Sequence, residues 1–432
     1  MTDEREIRIR VPMLARIEGE GALELDVRGN RIEALALRIF EPPRLFEKFL
    51  EGRACHEVPD IVARICGICP VAYQMSAVHA LEGLFGVQPG PWVRAMRRVL
   101  YCGEWVESHS LHIHLLAAPD FLGYSSAPEM AADHPEVVRR GLRLQALGNA
   151  IIGMFGGRSV HPVGVRVGGF YRAPSPDDVE AMLERLREAV PDAEALVHWT
   201  ASLPLPDDSQ EFTCVALRHP DEYPFNEGRL VSSSGLDLAV ADYQSRFREL
   251  QVPHSTALYS LLDERPYLVG PLARVNLNLD LLPAPVRSTL AATGVRFPSQ
   301  NMFHSIVARA VEIQFALLEA IRLLERYRIP ERPFVESRPR AGVGYGCTEA
   351  PRGILWHRYD LKEDGTVARA RIVPPTSQNQ ARLEEDLRRS LEGFGLHHSD
   401  DELRLRGETV IRNYDPCISC ATHFLRLTVR RQ

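Results

Sequence analysis

Two Cys-x-x-Cys pairs carry the most visible chemistry of this chain: Cys66/Cys69 in Arg64-Ile65-Cys66-Gly67-Ile68-Cys69-Pro70, and Cys417/Cys420 in Asp415-Pro416-Cys417-Ile418-Ser419-Cys420-Ala421-Thr422-His423. Thiolates are soft donors, and four of them from opposite ends of a chain meet only if the fold clamps both segments around one soft or borderline metal. Spacing alone leaves rival readings open. A structural zinc site also uses four thiolates, but its pairs usually lie within roughly 15–20 residues of each other, because the metal replaces a core. A thioredoxin-like redox motif needs one pair opening a helix in a βαβ unit and leaves the second pair unexplained. Two unconnected structural pairs are the plainest alternative.

The flanking residues narrow the choice. Arg-x-Cys-Gly-x-Cys with a later Asp-Pro-Cys-x-x-Cys-x-x-His resembles the large subunit of nickel-iron hydrogenases. The likeness continues in that family's order through Arg16-Ile17-Glu18-Gly19-Glu20-Gly21 and Phe46-Glu47-Lys48-Phe49-Leu50-Glu51-Gly52-Arg53. It then runs through Gly156-Gly157-Arg158-Ser159-Val160-His161-Pro162 with Gly168-Gly169, Ala350-Pro351-Arg352-Gly353 and Pro375-Thr376-Ser377-Gln378-Asn379. Each segment alone is weak; their common order is not.

The resemblance implies reversible cleavage of H2 into protons and electrons at a nickel–iron pair, with carbon monoxide and cyanide on the iron. By the family's pattern Cys66, Cys69, Cys417 and Cys420 bind nickel, and Cys69 and Cys420 also bridge to iron. Cys417 is the thiolate best placed to take the proton first, and Glu18 matches the next relay position. Arg352, behind the backbone-fixing Pro351, matches a guanidinium over the metals, a role for a rigid, permanently charged fork. Thr376 matches a hydroxyl donor to a cyanide, and Asp415 a carboxylate that orients the arginine. Outside that context each has a plain alternative: a surface glutamate, an ion pair, a helix cap, a turn residue. Glu47, the main-chain carbonyl of Ile372 and His423 match a second metal position whose oxygen ligands suit magnesium. His109, His112, His114 and His161 are given no metal. Two departures stand out: Tyr73 occupies a position where many members have histidine, and Ser108 one where some have aspartate.

The same likeness implies partners. Electrons must leave through an iron–sulfur small subunit, and the wording of the motifs resembles the cytoplasmic multisubunit branch that exchanges electrons with NAD(P) through flavin-containing subunits. No Gly-x-Gly-x-x-Gly after a strand marks a nicotinamide site in this chain. The related quinone-site subunit of respiratory complex I has lost the cysteine pairs retained here. A hydrogen sensor would keep the same metal site, and a zinc-stabilised scaffold is the alternative from another class. Mature members end at the motif histidine, whereas residues 424–432 follow it here. They are expected to be a maturation peptide cut off by an endopeptidase working with metal-insertion proteins.

Composition sets outer bounds. At 432 residues, with 51 Lys+Arg against 57 Asp+Glu and a formal charge of -6, the chain can bury a cofactor and shows no electrostatic footprint for nucleic acid. No run approaches the ~20 apolar residues of a membrane span, and the charged start has no signal-peptide core. Eight cysteines in so long a chain suit a reducing cytoplasm better than a disulfide framework.

The elements that must position these residues are read from periodicity. Residues 22–27 and 31–37 alternate as a hairpin about Arg28-Gly29-Asn30. Amphipathic helical patterns cover 74–85, 92–117, 135–155, 176–200 and, most strongly, 303–327. Between 207 and 280 short strands and loops prevail. Residues 353–373 form a hairpin about Glu363-Asp364-Gly365, and a last strand, 408–414, is expected to deliver the terminal cysteines. The whole, 1–432, reads as one α+β unit with a central bundle of long helices and small peripheral β-sheets.

Overall fold

The computed structural model describes residues 6–422. His423, the segment 424–432 and the expected cleavage point between them lie outside the described residues.

Strands β1 (Glu6–Val11), β2 (Gly21–Arg28) and β3 (Arg31–Ile39) form an antiparallel sheet with Glu6 opposite Arg28 and Gly21 opposite Ile39. Ile7, Ile9 and Val11 alternate inward with Leu23, Leu25 and Val27, the two-residue period of a sheet with one buried face. The hairpin is the one the sequence predicts; β1 is an addition to it. The loop between β1 and β2 carries the Arg-Ile-Glu-Gly motif.

Five long helices make the body: α1 (Pro70–Phe85), α2 (Pro91–Leu111), α3 (Pro135–Gly156), α4 (Pro176–Ser202) and α5 (Ser305–Leu324). α5 packs against α2 and α4, and α2 against α3. α1 starts four residues earlier than its periodicity suggests, because Pro70 at its first turn has no amide to satisfy and its fixed φ suits a helix start. A π-helical turn, His112–Ala117, follows α2 where one continuous helix is expected.

A second antiparallel sheet, β4 (Gly342–Ala350), β5 (Gly353–Leu361) and β6 (Val367–Val373), lies under α1. Gly346 permits this closeness: a Cβ there would stand 2.1 Å from the carbonyl of Ser76 on α1. Helices α6 (Pro375–Phe394) and α7 (Asp400–Asn413) and the single turn α8 (Ile418–Ala421) complete the order.

The terminal segment corrects one expectation. Residues 408–413 are the last turns of helix α7, not a strand. Ser399 and Glu402 form a capping box at its start, and the buried Leu403, Val410 and Ile411 recur at helical spacing. The short β-branched run Thr409-Val410-Ile411 loses to that longer pattern. The α+β organisation of long helices with small sheets is otherwise as read. No helix among the described residues is long and apolar enough to cross a membrane.

Candidate metal centre

The fold brings the two cysteine pairs together. Cys69 stands at the N-terminus of α1 and Cys417 at that of α8. Within the pairs the sulfurs are 2.7 Å (Cys66–Cys69) and 2.6 Å (Cys417–Cys420) apart; across them Cys66–Cys417 and Cys69–Cys420 are each 3.6 Å. All four lie within 4.8 Å of one another, at 1–3% exposure. Amides of Ile68 and Cys69 point at the Cys66 sulfur, at 3.3 and 3.0 Å. Burial pushes the Cys69 and Cys417 thiols well above the ordinary range, so four thiolates here require a cation among them. The soft, converging donors fit nickel and iron. Cys55, Cys102, Cys214 and Cys347 are buried but belong to no such cluster among the described residues.

The β1–β2 loop holds the terminal arm. Ile418 N–H donates to the Glu18 carbonyl and Ser419 N–H to Glu18 Oε2, both at 3.0 Å. Gly19, at φ 89°, lets Ile418 seat: a Cβ there would meet the Ile418 Cβ at 2.7 Å. Arg16 fixes the loop by donating to the Leu116 carbonyl at 2.7 Å and pairing with Asp120, which also takes Arg412 at 2.6 and 2.9 Å. Glu18 is half-buried, less enclosed than a relay carboxylate in a sealed core. Arg44 ties both arms at once: its guanidinium donates to the carbonyl of Ile65 at 2.5 Å and to that of Ser419. Glu104, fully buried, accepts from the amides of Val71 and Ala72 at 2.6 and 3.1 Å, capping α1 beside Cys69.

Above the cage sits a buried charge network. Arg352 Nε donates to the Asp415 carbonyl at 2.8 Å and Nη2 to Asp415 Oδ1 at 2.9 Å, while Nη1 is 3.4 Å from Ser108 Oγ. Arg309 Nη1 reaches the other Asp415 oxygen at 3.1 Å. Burial pushes the Asp415 carboxyl up, but Arg352, His112 and Arg309 hold it below the usual range. Thr376 Oγ1 accepts from Cys417 N–H at 3.0 Å, which leaves its own hydrogen to donate. Behind Arg352, Arg274 grips Glu312 (2.7 and 2.8 Å) and Glu349 (3.0 Å) and donates to the carbonyls of Ala350 and Pro351, so Pro351 is held by its oxygen as well as its ring.

Thus Cys66, Cys69, Cys417, Cys420, Glu18, Arg352, Thr376 and Asp415 come together, with Ser108 under the guanidinium. Glu47 and Ile372 also meet, the Ile372 amide donating to Glu47 Oε1 at 2.8 Å, while His423 lies outside the described residues. The histidines left without a metal are core residues. His109 bonds Glu312 at 2.9 Å, His112 bonds the Arg412 carbonyl at 2.8 Å, and His114 stacks on Trp199; His161 is half-buried at the surface. Sequence reading missed Arg44, Glu104, Glu107, Arg274, Arg309 and Glu312. The available signal was charge inside α5: Arg309 and Glu312 lie in the run 306–318, which apart from them and Gln314 is apolar, and demand buried partners. Burial pushes the Glu107 carboxyl well up, with Arg352 opposing. Tyr73 is fully buried and its hydroxyl has no hydrogen-bond partner among the described residues.

Donor type, burial and convergence are those of a soft-metal centre, and comparison with known proteins gives the family. The family model described as nickel-dependent hydrogenase matches residues 44–140 and 244–423. The alpha subunits of sulfhydrogenases 1 and 2 of Pyrococcus furiosus are 35% and 31% identical over 97% of this chain, covering 98% and 100% of their own lengths. A solved NAD+-reducing [NiFe]-hydrogenase in the H2-reduced state superposes with a TM-score of 0.86 at 27% identity, covering 96% of this chain and 99% of that one. The chain belongs to the nickel-dependent hydrogenase family, as a catalytic large subunit.

Proposed function

We propose that Cys66, Cys69, Cys417 and Cys420 would hold a nickel–iron pair, at which this subunit splits and forms H2. The observation that carries this reading is the convergence of four buried sulfurs within 4.8 Å beneath Arg352 and beside the Glu18 loop. The metal pair, its iron bearing carbon monoxide and cyanide, supplies the redox and hydrogen-splitting chemistry. The chain supplies the rest. Cys417 accepts the first proton, and Glu18, joined to the neighbouring Ser419 amide, passes it outward with the half-exposure that an exit needs. Arg352 keeps a positive charge fixed over the site, aimed by Asp415. Thr376 is free to donate toward a diatomic ligand. Side chains exclude water, as the sulfur burial requires.

We further propose magnesium at Glu47, the Ile372 carbonyl and His423. The electron route is an iron–sulfur small subunit leading through flavin-containing subunits to NAD(P) in the cytoplasm; likeness to the NAD+-reducing enzyme supports this choice. Residues 424–432 are a maturation peptide removed after metal insertion. The test is metal analysis with infrared spectroscopy of the purified assembly. Nickel and iron in equal amount, with bands of bound carbon monoxide and cyanide, are expected; zinc alone would overturn the reading.

A further inference from the structure

We propose that the Tyr73 hydroxyl donates a hydrogen bond to the thiolate pair Cys69/Cys420 once the cage is loaded, and so tunes the electron density at that edge of the centre. The inference rests on the metal site proposed above and adds a positioning residue to it.

Tyr73 is 0% exposed, yet its Oη meets no acceptor among the described residues. A buried hydroxyl without a partner is costly, so its partner is to be sought in the loaded state. Geometry names one. Tyr73 lies four residues after Cys69 on α1, so both side chains occupy one helix face, and helical side chains lean toward the N-terminus, here toward the cage. After burial itself, the sulfurs of Cys420 and then Cys69 act most strongly on the hydroxyl, ahead of Cys66 and Cys417. Those two sulfurs are 3.6 Å apart. On its other side the Tyr73 ring packs against His357 at 5.7 Å between centroids, and His357 is anchored to Tyr359 Oη at 2.8 Å. The phenol is therefore backed on one side by His357, on the helix face it shares with Cys69.

Chemistry explains why the bond awaits the metal. A neutral thiol is a weak acceptor, whereas a metal-bound thiolate is charged and attracts a strong, short hydrogen bond. A phenol keeps its proton at neutral pH, so the donor is always available. Donation draws electron density from sulfur, hence from the metals, and weakens back-donation into carbon monoxide and cyanide.

The test uses the assembled enzyme and infrared bands, a readout independent of turnover. Tyr73→Phe keeps the ring and its packing but removes the donor: metal content should be unchanged, the carbon monoxide and cyanide bands should move to lower wavenumber, and the midpoint potential should fall. Tyr73→His should move the bands back toward the wild type. 3-Fluorotyrosine at position 73, a more acidic donor, should shift them to higher wavenumber. If Tyr73→Phe does not load metal, the fluorotyrosine protein decides. Bands unmoved in a loaded variant would overturn the inference and leave the metal site standing, whereas wild-type protein without nickel and iron would overturn both.

Discussion

Replacing Asp415 by asparagine should be among the most damaging near-isosteric changes in this chain, and a double-mutant cycle can trace the damage to its cause. Asp415 sits at φ 56°, a conformation that asparagine tolerates as well as aspartate does, so the backbone is not newly strained. What disappears is one negative charge shared by two guanidiniums, Arg352 at 2.9 Å and Arg309 at 3.1 Å, all three side chains 2% exposed. Breaking a buried pair strands the remaining charge at about 3–5 kcal/mol. Arg309→Met removes one of the two stranded cations, so in the Asp415→Asn background it should cost less than in the wild type, or even stabilise. The coupling should be on the order of 1–3 kcal/mol. Urea unfolding at low salt, followed by circular dichroism, leaves the pairs unscreened and gives the four corners of the cycle. Arg352 keeps its 2.8 Å bond to the main chain but loses its aim, so turnover should drop about 10²-fold. Additivity within about 0.5 kcal/mol would refute the shared-charge account.

Four further outcomes are expected. Serine at Cys66, Cys69, Cys417 or Cys420 should abolish nickel retention, measured by metal analysis, while alanine at Cys55, Cys102, Cys214 or Cys347 should leave nickel in place. Glu18→Gln keeps an oxygen for the Ser419 amide but cannot carry a proton, so turnover should fall about 10²–10⁴-fold with metals retained; wild-type turnover would direct the search to another base. Burial holds His109, His112 and His114 at about 4, 3 and 3, below their ordinary 6.5. Their neutral-state stability is thus complete above pH 6.5 and lost as pH falls. Unfolding should take up less than about one proton from these groups at pH 7 and about three at pH 5, and over that interval stability should drop by up to about 2 kcal/mol for each, read from urea midpoints. Mass spectrometry of nickel-loaded, active subunit should show a C-terminus at His423; full activity in a chain still ending at Gln432 would count against processing.

Much of the site was legible because its chemistry is written in short motifs. Thiolates, the Arg-Ile-Glu-Gly loop and the Ala-Pro-Arg-Gly turn announce themselves, and the structure gathers them. The supports were not legible, since their partners lie far away in sequence. Arg44 looks like one more surface arginine until Ile65 and Ser419 present their carbonyls to it. Arg274 pairs with Glu312 and Glu349 across separate elements, a match that no periodicity records. Strand β4 escaped notice because it is built on glycines and lacks apolar alternation of the usual strength; β1 does alternate, at Ile7, Ile9 and Val11, but is only six residues long and sits in a run of charges. The terminal helix departs from the expected strand because the β-branched run Thr409-Val410-Ile411 is outweighed by the capping box that opens at Ser399.

The double grip of Arg44 bears on the order in which the molecule comes into being. The paired arms are separated by 351 positions along the chain, a closure worth on the order of 5 kcal/mol of lost entropy. One arm can settle on the helical body early in synthesis, whereas the other is made much later and brings its Ser419 carbonyl to the guanidinium that Ile65 also binds. Arg44 is thus a latch whose two halves come from segments made far apart in synthesis. A binding cage of this kind can close only once its second arm has been made.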